Sequence, residues 1–108
     1  MFTQINSAGI HGMEGFLVSV ESDVSNGLPG FSISGQLALE AQERVRTALK
    51  NSDLQLPAKK ITVNLSPAGM KKEGTAFDLP IAAAVLGAFE LLAAEKLKDS
   101  LLIGELGL

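Results

Sequence analysis

The 108-residue chain predicts an α/β fold of the α+β kind, a mixed sheet with helices packed on one face. Three observations carry this. The first third alternates between two residue sets with period two, Leu37 to Asn51 and the stretch from Asp78 onward change to helical spacing, and a further alternating segment lies between those two. The resulting order is strand, strand, strand, helix, strand, helix, strand.

At the start, Phe2, Gln4 and Asn6 oppose Thr3, Ile5 and Ser7, while Phe16, Val18, Val20 and Val24 oppose Leu17, Ser19, Glu21 and Asp23. This pattern predicts two antiparallel strands joined around Gly9 to Gly15. Asn26-Gly27-Leu28-Pro29-Gly30 is a dense turn signal, and Phe31 to Gly35 follows as a short third strand. From Leu37 to Asn51, Ala38, Ala41, Val45, Ala48 and Leu49 fall on one helical face, with Glu40, Glu43, Arg44 and Lys50 elsewhere. Glu40 with Arg44, and Gln42 with Arg46, stand at i,i+4, where a pair is worth only about 0.2–0.5 kcal/mol. Asn51-Ser52-Asp53 ends this amphipathic surface helix.

Lys59 and Lys60 precede the fourth strand, Ile61 to Leu65, whose inward set is Ile61, Val63 and Leu65; Pro67 closes it because it has no N–H for a ladder. Asp78 is the expected N-cap of the second helix, which puts Pro80 in the first turn, where its missing donor is harmless. Thr75 with Asp78 also has capping-box spacing, but that start would place Pro80 deep enough to kink the helix. Through Leu92 the segment is apolar on nearly all sides and therefore needs cover by a sheet or a partner domain. Leu101 to Leu106 supplies an expected fifth strand.

Length allows one domain, residues 1–108, able to bury about two-thirds of its unfolded surface. The absence of cysteine excludes disulfides, a thiolate nucleophile and Cys-based zinc sites, and is compatible with a reducing compartment. A net charge of −3 argues against broad adhesion to nucleic acid, leaving room for a local basic patch. The start, Met1 to Ser7, has neither the basic nor the unbroken apolar region of an export signal, so a cytoplasmic protein is expected. The most apolar run, Leu79 to Ala94, has 16 residues and contains Glu90, short of the about 20 needed to cross a bilayer, so no membrane partner is expected. Leu101 to Leu108 reads as a strand and turn that stop, as expected for a piece of a longer protein.

Chemistry is sparse. Gly12-Met13-Glu14-Gly15, Gly27-Leu28-Pro29-Gly30 and Gly104-Glu105-Leu106-Gly107 suggest phosphate loops, but the chain has no Gly-x-x-x-x-Gly-Lys-Ser/Thr, and turns account for all three. His11, the single histidine, has Glu14 nearby; two ligands are too few for a committed metal, and a turn histidine is the better reading. Ser34, Ser66 and Thr75 have no histidine close in sequence, so a triad is unsupported, while a Ser–Lys dyad stays open on residue types. Lys71 and Lys72, beside Glu73, are the candidate contact for nucleic acid or a partner; with no aromatic companion, a solvated loop is the plainer reading. No catalytic, cofactor-binding or metal residue is assigned.

Asp23-Val-Ser-Asn-Gly-Leu-Pro-Gly-Phe-Ser-Ile33, Glu43-Arg-Val-Arg-Thr-Ala-Leu-Lys-Asn51, Ile61-Thr-Val-Asn-Leu65, Lys71-Lys-Glu-Gly-Thr-Ala-Phe-Asp-Leu-Pro-Ile-Ala82 and Gly104-Glu-Leu106, in that order, closely resemble the amino-terminal domain of the magnesium-chelatase-like ComM family. The resemblance covers nearly the whole chain. It implies a bacterial AAA+ ATPase in which a domain like this one comes first, an ATPase module with its P-loop follows, and a magnesium-chelatase-type domain ends the chain. ATP and Mg would then be cofactors of the parent protein, with none in this chain. The implied partners are the rest of its own chain, further copies in a homo-oligomeric ring, and DNA, in branch migration during natural transformation.

The same segments are similar to the proteolytic domain of Lon protease, a fold like domain 2 of ribosomal protein S-five. Laying Lys72 to Asp78 on the Lon serine motif puts Ala76 where the nucleophile would stand, and Ala has no hydroxyl to attack a carbonyl. The Lon lysine lies beyond the Gly104-Glu105-Leu106 strand, outside this chain. The resemblance therefore implies a non-catalytic domain; the alternative is a degenerate Lon-like serine peptidase using Ser66 or Thr75. Gly35 to Gln42 is less polar than the family pattern, and Gly69 stands where an acidic residue is common, which leaves binding by the loop after the fourth strand open.

Overall fold

Alternation in the first third becomes one long hairpin: β1 (Phe2–His11) pairs antiparallel with β2 (Glu14–Ser25), from Phe2 opposite Asp23 to His11 opposite Glu14. The computed structural model describes residues 2–11, 13–34, 39–52, 57–66 and 77–106. The strands extend through much of the expected Gly9 to Gly15 connection, so the hairpin closes more tightly than the glycines suggest. β3 (Gly30–Ser34) and β4 (Lys60–Ser66) complete a sheet in the order β1-β2-β4-β3. β4 runs antiparallel to β2 and parallel to β3, and α1 (Leu39–Asn51) lies in the crossover that a parallel pair requires. The expected mixed sheet is therefore present.

Register explains which face is covered. Ile5, Val20 and Leu65 form one cross-strand row, and Thr3, Ser22, Val63 and Ile33 form the next. Ile5, Val18, Val20, Val63 and Leu65 are buried almost completely on this face. α1 adds Ala41, Val45, Ala48 and Leu49, the predicted apolar stripe apart from Ala38, which lies outside the described residues. α2 (Asp78–Ala88) is buried along nearly its whole length, as an all-apolar helix must be. Its small residues permit close approach: a Cβ on Gly87 would stand 2.7 Å from Thr3 Cγ2.

Three expectations are corrected. Leu101 to Leu106 is not a fifth strand; it makes one backbone hydrogen bond to β1, Leu102 N–H to the Asn6 carbonyl at 2.9 Å, and then turns toward α2 instead of following the edge. α2 ends at Ala88, short of Leu92, because Glu90 adopts a left-handed φ of 62° and the Glu90 and Leu91 amides close back on the Gly87 and Leu86 carbonyls, each at 2.9 Å. A 3-10 turn, Ala94–Leu97, follows. Asp78 is not the N-cap. That position is Phe77, which offers no side-chain bond, and the Asp78 carboxylate is turned elsewhere.

Candidate functional site

The predicted contact residues Lys71 and Lys72 lie outside the described residues, as do Thr75 and Ala76. The described residues that flank them are Ser66 at the end of β4 and, past Phe77, Asp78 at the start of α2.

Asp78 is 1% exposed, and Arg44 of α1 reaches it with both arms of its guanidinium, Nε to Oδ2 at 2.8 Å and Nη2 to Oδ1 at 3.1 Å. An ionised carboxylate at the head of an apolar helix needs such a partner, because desolvation without compensation costs several kcal/mol, on the order of the charge-burial penalty. Arg's planar fork suits the task where Lys would supply only a point charge. The expected Glu40–Arg44 pairing falls on a Glu40 side chain that lies outside the described residues. Arg46 meets Glu43 at i,i+3, 3.7 Å apart and exposed, rather than Gln42. The Arg44–Asp78 pair escaped the sequence reading. Its signal was an acid directly preceding Leu79-Pro80-Ile81-Ala82-Ala83-Ala84, which cannot be buried alone.

Ser66 is half-buried and pairs in register with Ser19. It shares a groove of about 510 Å³ with Asn6, Leu17, Lys98 and Leu101. Among the described residues no lysine ammonium hydrogen-bonds its hydroxyl. His11 ends β1 opposite Glu14 in the hairpin. Among the described residues no group of three His, Cys, Asp or Glu side chains is placed to hold a metal.

The sheet face away from the helices is polar. Its rows read Phe2, Asp23, Thr62, Ser32 and Gln4, Glu21, Asn64, Ser34, with a shallow groove of about 450 Å³ between them. The charges at its centre, Glu21 and Asp23, are both negative, which repels phosphate. Lys60 stands at the margin, opposite Ser25 and Gly30. There the turn after β2 is stapled by Lys59 Nζ donating to Asn26 Oδ1 at 2.6 Å. No described helix is long and apolar enough to cross a membrane.

Comparison with known proteins gives a consistent picture. The family described as subunit ChlI of Mg-chelatase matches residues 20–108. The chain is 48% identical over 100 residues to competence protein ComM of Haemophilus influenzae, covering 90% of this chain and 20% of that protein. It is 50% identical over 94 residues to the uncharacterized protein YifB of Escherichia coli, covering 84% and 19%. Against the uncharacterized protein Rv2897c of Mycobacterium tuberculosis it is 40% identical over 105 residues, covering 94% and 21%. The chain thus spans about one-fifth of the length of these relatives.

Proposed function

The chain belongs to the family of subunit ChlI of Mg-chelatase and is similar to competence protein ComM, and from that premise we propose that it is a non-catalytic amino-terminal domain of a ComM-like AAA+ ATPase. Its contribution is to ring assembly or to contact with DNA. The observation that carries this reading is the 48% identity to competence protein ComM across 90% of the chain. The parent protein, in this reading, acts in the cytoplasm in DNA branch migration during natural transformation, with ATP and Mg bound by a module outside these residues.

One feature of the sequence supports a non-catalytic role: Ala76 stands where a Lon-like peptidase would need a hydroxyl.

Calorimetric titration of ATP into the purified chain tests the proposal. No binding heat is expected; micromolar affinity would sink the reading. Casein or peptide turnover that disappears in Ser66→Ala or Thr75→Ala would replace it with the degenerate peptidase. The full-length protein is expected to carry Gly-x-x-x-x-Gly-Lys-Ser/Thr downstream of these residues.

A further inference from the structure

We infer that residues 101–106 form a strap that sets the first turn of α2, so that the position of this segment is coupled to the Arg44–Asp78 pair joining the helices. The segment is extended, with Leu102, Gly104 and Leu106 half-buried against the domain and Leu101, Ile103 and Glu105 turned outward. Leu102 N–H donates to the Asn6 carbonyl and Leu79 N–H to the Gly104 carbonyl, each at 2.9 Å, and just upstream Asn6 Nδ2 donates to the Lys98 carbonyl at 2.8 Å. Asn6 thus holds the strap through its carbonyl and the turn leading into it through its side chain.

The last of these bonds matters because of what α2 lacks. A helix leaves its first amides without intrahelical partners, and Phe77 at the N-cap provides no side-chain acceptor. Pro80 has no N–H, and the described ladder begins with Ile81 N–H to the Phe77 carbonyl at 3.0 Å. The Leu79 amide therefore depends on the strap. Contact is close as well: a Cβ on Gly104 would lie 3.3 Å from Leu79 Cδ2 and 3.4 Å from Leu79 Cβ. Asp78, the preceding residue, is the one whose carboxylate Arg44 grips. A shift of the strap moves Leu79, and a shift of Leu79 turns the carboxylate relative to Arg44.

Amide hydrogen exchange on the chain tests the coupling. Leu102→Pro removes the donor to Asn6 without altering α2, and Gly104→Ala presses on Leu79 with a single methyl group, giving a second variant should the first not fold. The Leu79 amide is expected to exchange about tenfold faster or more in either, while Val20 and Val63 in the central strands keep their protection. In the same variant the Arg44–Asp78 coupling, measured by a cycle of Arg44→Ala and Asp78→Ala, becomes smaller. Unchanged exchange at Leu79, an undiminished coupling, or uniform acceleration of all amides would each overturn the inference; the last would make the segment a plain part of the global fold.

Discussion

Arg44 and Asp78 meet through two parallel hydrogen bonds, at 2.8 and 3.1 Å, and so fasten the middle of α1 to the first turn of α2. The pair is asymmetric, with the Asp78 side chain 1% exposed and that of Arg44 24% exposed. Removing the arginine strands a buried charge, whereas removing the carboxylate leaves a guanidinium that water can reach. Arg44→Ala is expected to destabilise the chain by about 3 kcal/mol or more, and Asp78→Ala by less. Urea denaturation midpoints compare the two; equal losses would contradict the asymmetry.

Gly87 lies against β1 closely enough that added atoms have nowhere to go, with Thr3 Cγ2 at 2.7 Å and Ala94 Cβ at 3.1 Å from a built Cβ. Alanine is the better helix former by about 1 kcal/mol, yet overpacking costs about 1–3 kcal/mol, so Gly87→Ala is expected to destabilise. Adding Thr3→Ser, which deletes the nearer methyl, recovers part of the loss. Thermal melts of the single and double variants check both halves.

Glu90 sits in the left-handed region at φ 62°, where a side chain costs about 1–2 kcal/mol and glycine costs little. Glu90→Gly is expected to raise the melting temperature by several degrees, about 4–8 °C per kcal/mol for a domain of this size. A lower melting temperature would mean that the Glu90 side chain makes a compensating contact.

Leu17 and Leu65 test the register of the sheet. Leu17, on the face away from the helices, is 72% exposed, and Leu65 is fully buried beneath them. Leu65→Ala is expected to cost about 2–5 kcal/mol, and Leu17→Ala to stay within about 0.5 kcal/mol. Chemical denaturation distinguishes this from a β2 slipped by one residue, which would bury Leu17 and make its replacement costly.

The last prediction concerns Lys71 and Lys72. If, under the proposed function, these residues face DNA in a ring of the full-length protein, replacing both with Ala there should lower the salt slope of DNA binding by about two, one for each lost phosphate contact. The isolated chain should bind poorly with or without them, since its net charge is −3 and carboxylates occupy the centre of its open sheet face. An unchanged slope in the full-length double variant would identify a solvated loop.

The class of fold, the strand faces and the buried stripe of α1 were all legible in the residues alone. Those features depend on short-range periodicity: Ile61, Val63 and Leu65 alternate, and Ala41, Val45, Ala48 and Leu49 share a helical side, wherever the chain goes next. The family was legible too, from motifs spread along nearly the whole length. Contacts between residues far apart in sequence emerge only from the folded chain. Asp78 has the composition of an N-cap, but its carboxylate turns to Arg44, 34 residues away, because burial in an apolar helix start makes a fixed cation worth more than a backbone amide. Leu101 to Leu106 has the alternation of a strand, yet after one bond to Asn6 its next backbone partner is the Leu79 amide, an orphan donor created by a helix with no side-chain cap. Local pattern specifies how each segment is shaped; which unsatisfied group it must meet is known only once the other segments have been brought beside it.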